Sequence, residues 1–416
     1  MNRKLTIKLD KSFDTFEEAK KYHPGGVLGI RRPYNFVEDE YPIFFESGKG
    51  GKVIDVDGNE YIDMLCSYGP IIIGHREKEI DDAVINQIRN KGFNFSLTQP
   101  IHNVLAKKMN ELIPCAEQSI FVKTGSDATS AAIRAARAYT GRNKILRCGY
   151  HGWHDWCAEV KGGIPENVSN DVLDFHYNDY DSLKNIIENN ENQIAAVIIW
   201  PIHTPLGDKI EMPRDDFLEK VREITNKKNI VLIFDEIRTG FRVDLGGAQK
   251  KFNVIPDLAT FGKAMANGYS ISALVGKKEI MQVYSDKSFI SSTYFENSLP
   301  MVAALKTIEF IEQNNVIDDL SKKGNYFKDK IDKIIKEYDN VCEFSGSPWM
   351  PYMTFIHDAK KVYKKNRTKF FTEMIRRKVF WQPYHHSYFC YRHSYDDIDY
   401  VVNCVEESLR ATVLES

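Results

Sequence analysis

The chain has 416 residues, 43% hydrophobic and 12% aromatic, with 25 glycines and 15 prolines, which excludes a collagen, a coiled coil or a largely disordered chain. Lys plus Arg (56) nearly cancels Asp plus Glu (58), and a polyanion binder needs surplus positive charge, so nucleic acid is not an expected partner. The longest apolar run, near Ile194–Trp200, is too short to span a bilayer.

The N-terminal MNRKLTIKLDKSFDTF holds no apolar signal-peptide core. Residues 1–48 are polar and irregular, with a helix expected at Thr15–Tyr22 before Pro24-Gly25-Gly26. KVIDVDGNEYIDML then places two alternating runs around Asp57-Gly58-Asn59, a hairpin signal. From about residue 76, short apolar strands alternate with helices. Strands are expected at Ser119–Lys123, Lys144–Cys148, Ala195–Trp200, Ile230–Phe234, Leu258–Phe261 and Ile271–Val275, with helices such as Asp127–Tyr139 and Arg214–Asn226 between them. Strands without polar alternation, separated by helices, predict an α/β fold with a mostly parallel sheet covered on both faces. A long helical stretch, Leu299–Tyr338, leads into a C-terminal part of mixed α+β character. The expected division is an N-terminal segment (1–75) that joins the small domain, a large domain (76–320) and a C-terminal small domain (321–416). The seven cysteines are scattered, without a C-x-x-C pair, so reduced thiols in a cytoplasmic, soluble protein are expected.

Four short constellations carry chemistry, and each has a plain structural reading when taken alone. Lys123-Thr124-Gly125-Ser126-Asp127 follows a strand and opens a helix, where backbone N–H groups can cradle a phosphate or simply cap the turn. Asp235, in Ile233-Phe234-Asp235-Glu236-Ile237-Arg238, stands at the carboxyl end of a buried strand, where open α/β sheets bind ligands. Lys263, in Thr260-Phe261-Gly262-Lys263, stands just past another strand, where desolvation can make an amine nucleophilic. Tyr150, in Gly149-Tyr150-His151-Gly152-Trp153-His154, offers a ring that can stack on a planar cofactor. The two histidines of that loop have no third clustered ligand, so no metal is expected there.

The order and spacing of the four, with Lys263 twenty-eight residues after Asp235, resembles the class III pyridoxal-phosphate aminotransferases, most nearly glutamate-1-semialdehyde 2,1-aminomutase. GGV at 25–27, DVDGNEYIDM, SYGPIIIGH, TGSDAT, RAARAYTGRNKI, YHG, IFDEIRTGFR, GGAQ and PDLATFGKAMANG carry the resemblance over roughly residues 25–320. It implies fold type I, with a seven-stranded sheet in the large domain, and pyridoxal 5′-phosphate held on Lys263 as a Schiff base. It also implies that Asp235 pairs with the pyridine nitrogen, Tyr150 and Ile237 flank the ring, and Gly125 and Ser126 hold the phosphate. Arg238 would lie near the cofactor's phenolic oxygen. Thr293 would reach the partner subunit's phosphate in a homodimer with shared active sites. Arg32, Tyr68 and His385 would meet substrate, Arg32 gripping a carboxylate.

Several positions depart from that pattern. Trp200 replaces a glutamate that precedes proline in most of the family, and Arg238 replaces the aminomutase's methionine. Trp381–Tyr388 is richer in aromatic and imidazole groups, Phe295–Ser298 replaces a small Ser-Gly-Asn-Pro run, and the loop after Tyr150 is short. A mutase retains its intermediate under a closing loop. The short loop therefore favours transfer from an amino-acid donor such as glutamate to an aldehyde or ketone, with a sugar-derived or phosphorylated carbonyl suggested by the bulkier rim. The alternative is intramolecular transfer of the aminomutase type.

Overall fold

The computed structural model describes residues 7–414, so the first six residues of the N-terminal segment lie outside the described residues. Among the described residues the strands are β1 (Phe45–Lys49), β2 (Lys52–Asp55), β3 (Glu60–Asp63), β4 (Gln118–Val122), β5 (Lys144–Cys148), β6 (Val172–Asp174), β7 (Ile194–Ile199), β8 (Val231–Asp235), β9 (Leu258–Phe261), β10 (Ser272–Gly276), β11 (Cys342–Ser347), β12 (Met350–Phe355) and β13 (Val379–Phe380).

The chain divides into two compact units. One contains the residues up to Glu77, the short excursion Leu206–Ile210, and Asp318 onward; the other contains Lys78–Pro205 and Glu211–Ile317. In the first unit the expected hairpin forms between β2 and β3, with Gly58 taking the positive φ that its tight turn requires. β1 adds antiparallel to β2, and β13 adds parallel to β3. β11 and β12 make a separate antiparallel pair. The first helix runs over Asp10–Ala19, earlier than the expected Thr15–Tyr22.

The second unit is built on a seven-stranded sheet in the order β4-β10-β9-β8-β7-β5-β6. All neighbouring pairs are parallel except those made by β10, which runs antiparallel to both β4 and β9. β7, β8, β9 and β10 are buried at every residue. This is the burial that continuous apolar runs demand, because both faces are covered. The helix Gly125–Thr140 follows β4. A reciprocal capping box between Thr124 and Asp127 starts it, and Gly141 in the left-handed region ends it. The expected helical stretch Leu299–Tyr338 forms two helices, Leu299–Gln313 and Val316–Ile335, separated where Asn315 takes φ +50°. Among the described residues no helix is long and apolar enough to cross a membrane.

Because β10 alone is reversed, β4, β5, β7, β8 and β9 all end on one edge of the sheet. The residues at or just past those ends include Thr124–Ser126, Gly149–Gly152, Trp200, Asp235 and Gly262–Lys263. The candidate site gathers there.

Candidate active site

Gly125, Ser126, Tyr150, Asp235, Ile237, Arg238 and Lys263 line one cavity of about 170 Å³ in the second unit, together with Thr129, His151, Gly152 and Trp200. Asp235, the last residue of β8, is 3% exposed and fully engaged. Its Oδ2 faces His151 Nδ1 at 2.7 Å and accepts from Trp200 Nε1 at 3.2 Å, while Oδ1 accepts from the Ile237 N–H at 3.1 Å and the Thr260 hydroxyl at 3.4 Å. Burial by itself would raise this carboxyl; His151, the Ile237 N–H and the charge of Lys263 outweigh it and hold the group below its ordinary range. Asp235 is therefore an anion at the cavity floor.

Lys263 follows Gly262 after β9 and sits at φ +43°, a left-handed conformation that a lysine adopts at a cost. Burial, and then the charge of Arg238, push its amine well below the usual lysine value; Asp235 opposes the shift and Arg242 adds to it. An amine so placed is neutral across a wider pH range, the form that condenses with an aldehyde.

The phosphate-type cradle is local. The free N–H groups of the helix Gly125–Thr140 open toward the loop Tyr150–Trp153, whose Trp153 N–H donates to Ser126 Oγ at 3.3 Å. Gly152 has φ +125°, and a Cβ there would stand 2.5 Å from Ser126 Oγ, so the close approach of loop and helix needs glycine. Tyr150 is 36% exposed, with a ring face available at the rim.

His151 and Trp200 are the residues that sequence reasoning missed. His151 had been weighed with His154 as a metal pair. In the structure His151 turns inward to Asp235, whereas His154 bonds the Ser130 hydroxyl at 2.7 Å through Nδ1. The Thr129 hydroxyl fixes the His151 carbonyl at 2.7 Å. No spacing rule signals this pairing, because 84 residues separate His151 from Asp235. Trp200 was visible only as a departure from the family pattern.

Thr293 lies outside this cavity, exposed in a turn of the same unit. The other substrate candidates belong to the first unit. Tyr68 lies in a run of four positive-φ residues, Cys66 to Gly69, and its ring stands 5.2 Å from His385. Burial raises the Tyr68 phenol to about 12, with the charge of Arg31 opposing, so it is a hydrogen-bond donor at physiological pH. His385 is buried, with Nδ1 2.8 Å from the His386 carbonyl. Arg32 packs back on its own loop, its Nε donating to the Val27 carbonyl at 3.3 Å.

The same unit holds Cys66, Cys390 and His393 with side-chain ligand atoms within 4.8 Å of one another. Both His393 nitrogens already meet backbone, Nδ1 accepting from the Cys390 N–H and Nε2 facing the Gly51 carbonyl. The group is thus tied into the local backbone network.

The second-unit cavity suits pyridoxal phosphate. It offers a neutralised amine for the aldehyde, an anion for a ring nitrogen and a helix N-terminus for the phosphate. It also holds a buried polar atom, His151 Nε2, with no hydrogen-bond partner among the described residues. A family model described as Aminotransferase class-III matches residues 34–380. The 3-aminobutyryl-CoA aminotransferase of Cloacimonas acidaminovorans is 60% identical, over 97% of each chain. A glutamate-1-semialdehyde 2,1-aminomutase of Methanosphaera stadtmanae is 35% identical, over 97% of this chain and 99% of that protein. The internal aldimine form of the FumI protein of Sphingopyxis sp. MTA144, which holds pyridoxal phosphate, matches with a TM-score of 0.93 at 28% identity, over 98% of this chain and 97% of that one. With this cavity geometry and matches that run the length of the fold, the chain belongs to the class III aminotransferases, fold type I enzymes that work with pyridoxal 5′-phosphate.

Proposed function

We propose that Lys263 carries the cofactor, that Asp235 faces its ring nitrogen, and that Tyr150, Ile237, Arg238, Gly125 and Ser126 seat the ring and phosphate. The observation that carries this reading is a depressed, buried Lys263 amine lining the same cavity as an ionised, fully bonded Asp235. Bound pyridoxal phosphate supplies an electron sink for a carbanion at the substrate carbon that bears the amine. The protein supplies the rest. Lys263 Nζ would hold the cofactor's aldehyde and, when its amine is free, would carry the proton away from the substrate carbon that bears the amine. Asp235, held below its ordinary carboxyl value, would pair as an anion with the cofactor's ring nitrogen and favour a proton there. The helix N-terminus holds the phosphate by its N–H groups.

For the substrate, we infer transfer at the C3 amine of a short 3-aminoacyl-CoA thioester, with glutamate and 2-oxoglutarate as the other pair. Support comes from the 60% identity with a 3-aminobutyryl-CoA aminotransferase over nearly the whole of both chains. It replaces the sugar-derived carbonyl suggested by the rim residues. A thioester carbonyl is uncharged, and the Tyr68 and His385 pair offers hydrogen-bonding groups of the kind that would read it. Arg32 is left to grip the carboxylate of the amino-acid partner. The seven cysteines are buried and none is in a disulfide, which fits a reducing, cytoplasmic setting.

The test is a set of half-reactions followed by the cofactor spectrum. Glutamate and 3-aminobutyryl-CoA should each convert the cofactor to its amine form, with 2-oxoglutarate and acetoacetyl-CoA released. Conversion by free 3-aminobutyrate at an equal rate would refute thioester recognition. Conversion only by glutamate semialdehyde or its diamino counterpart would make the enzyme an aminomutase. Arg32→Ala should raise KM for glutamate by about 10–100-fold, the value of a charge-assisted hydrogen bond, and leave KM for the thioester unchanged.

A second copy of the chain is the proposed partner. Phe93, Phe95, Leu97, Phe289 and Tyr294 are exposed on the second unit. The first and last of these segments adjoin, with the Ser298 N–H donating to the Phe93 carbonyl at 2.8 Å and His102 meeting the Glu296 carboxylate at 2.9 Å. An apolar surface of this kind marks an association face, and Thr293 lies within it. Sedimentation should give twice the 48.0 kDa chain mass, and Leu97→Lys with Tyr294→Lys should shift the protein to monomer. A wild-type monomer at micromolar concentration would end this reading.

A further inference from the structure

We propose that Trp200 is a positioning residue that aligns two groups of the cofactor cavity at once, Asp235 through its indole N–H and Arg238 through its ring face. Trp200 follows the last residue of β7 and is 4% exposed. Its Nε1 donates to Asp235 Oδ2 at 3.2 Å, the oxygen that His151 also meets. Its ring carries the Arg238 guanidinium, with Cζ 4.4 Å from the ring centroid. Arg238 is held at its other end by Thr204, whose carbonyl accepts from Nη1 at 2.5 Å and whose hydroxyl accepts as well.

The indole is itself clamped. Gly149 has φ +107°, and a Cβ there would stand 2.7 Å from the six-membered ring, so backbone lies directly against the indole. The His151 ring meets it edge-on at 5.7 Å. Trp200 is thereby fixed in plane and in rotation, which lets a single side chain set the direction of a hydrogen bond and the height of a cation.

The physics differs from that of an acidic residue at the same place. A carboxylate beside Asp235 would repel it and favour its protonation. An indole donates to Asp235 without adding charge, and its π face attracts Arg238 by the ring quadrupole. The arrangement keeps Asp235 anionic and Arg238 in register in one cavity wall.

This inference rests on the seating of the cofactor proposed above. The test compares Trp200→Phe with Trp200→Leu, measuring pyridoxal phosphate affinity by equilibrium dialysis, melting of the apoprotein, and kcat at saturating cofactor. Trp200→Phe keeps a ring face and loses the donor. It should weaken cofactor binding about tenfold, the worth of one hydrogen bond to a charged group, with little change in apoprotein melting. Trp200→Leu loses both contacts and should weaken binding about a hundredfold, so the phenyl ring rescues part of the loss.

Wild-type affinity and kcat in Trp200→Phe would overturn the role of the N–H. Equal losses in both variants would overturn the seat for Arg238. If Trp200→Leu does not fold, Arg238→Gln in the Trp200→Phe background replaces it. A further loss is expected, and none would count against the ring face. Asp235→Asn run alongside separates the failures: if it too leaves cofactor affinity and rate unchanged, the seating of the cofactor is wrong, not Trp200's part in it.

Discussion

Lys263→Ala is expected to lower transamination turnover by at least about 10⁴-fold, because on the proposed seating it removes both the covalent attachment and the proton carrier. Borohydride reduction followed by peptide mapping should trap the cofactor on Lys263 in the wild type and on no lysine in the variant. A trapped adduct at another lysine, or turnover within tenfold of wild type, would remove Lys263 from the mechanism. The substitution also has a consequence for the apoprotein. The folded-state value of Lys263 lies well below its unfolded value, chiefly through burial and then Arg238, so the unfolded chain binds the extra proton throughout the interval between the two. Stability therefore rises with pH across that interval and levels off near the ordinary lysine value of about 10.4. In Lys263→Ala that rise should flatten, as read by denaturant unfolding of the apoprotein between pH 7 and pH 10.

Asp235→Asn keeps the shape of the side chain and removes its charge, and kcat should fall by about 10²–10⁴-fold. That range corresponds to the 3–5 kcal/mol at stake when one partner of a buried charged pair is removed. Two effects add. On the proposed seating the ring nitrogen would lose its anionic partner, and His151 Nδ1, at 2.7 Å, faces an amide in place of a carboxylate. The linkage has the opposite sense to that of Lys263. Burial opposes the ionised form, but His151, the Ile237 N–H and Lys263 depress Asp235 in the folded state. Its contribution is thus present above the ordinary carboxyl value of about 3.9 and is lost as pH falls through the depressed folded value. Acid unfolding of wild type should carry this loss and Asp235→Asn should not. A variant with wild-type kcat and an unchanged acid limb would refute the assignment.

How much of this was legible depended on what kind of interaction each residue makes. The strands that hold the site were readable because each is buried on both faces and so must be apolar throughout, as in Ile194–Ile199. β6, three residues long with an exposed Asp174, and β1, FESGK with little burial, carry no such pattern and were not expected. The stretch after residue 299 read as helical throughout, without a boundary inside it. Two asparagines, Asn314 and Asn315, were enough to break it, since asparagine tolerates the left-handed conformation.

At the site the same division holds. Asp235, Lys263, Gly125 and Tyr150 were legible because each stands at the end of a strand or within three residues of it, and the ends of parallel strands in an α/β sheet converge on one edge. By itself, then, the chain order determined the sheet, the edge on which the cavity opens, and the family resemblance that named the lysine and its acid. Only the tertiary structure decided what surrounds them: His151 against Asp235, the Trp200 N–H on the same oxygen, Arg238 above the Trp200 ring, and Tyr68, in its left-handed turn, beside His385. The reason is physical. Periodicity records which face of an element is buried, a local property. A hydrogen bond or a ring contact between residues 35 or more positions apart exists only once packing has set their distance and angle.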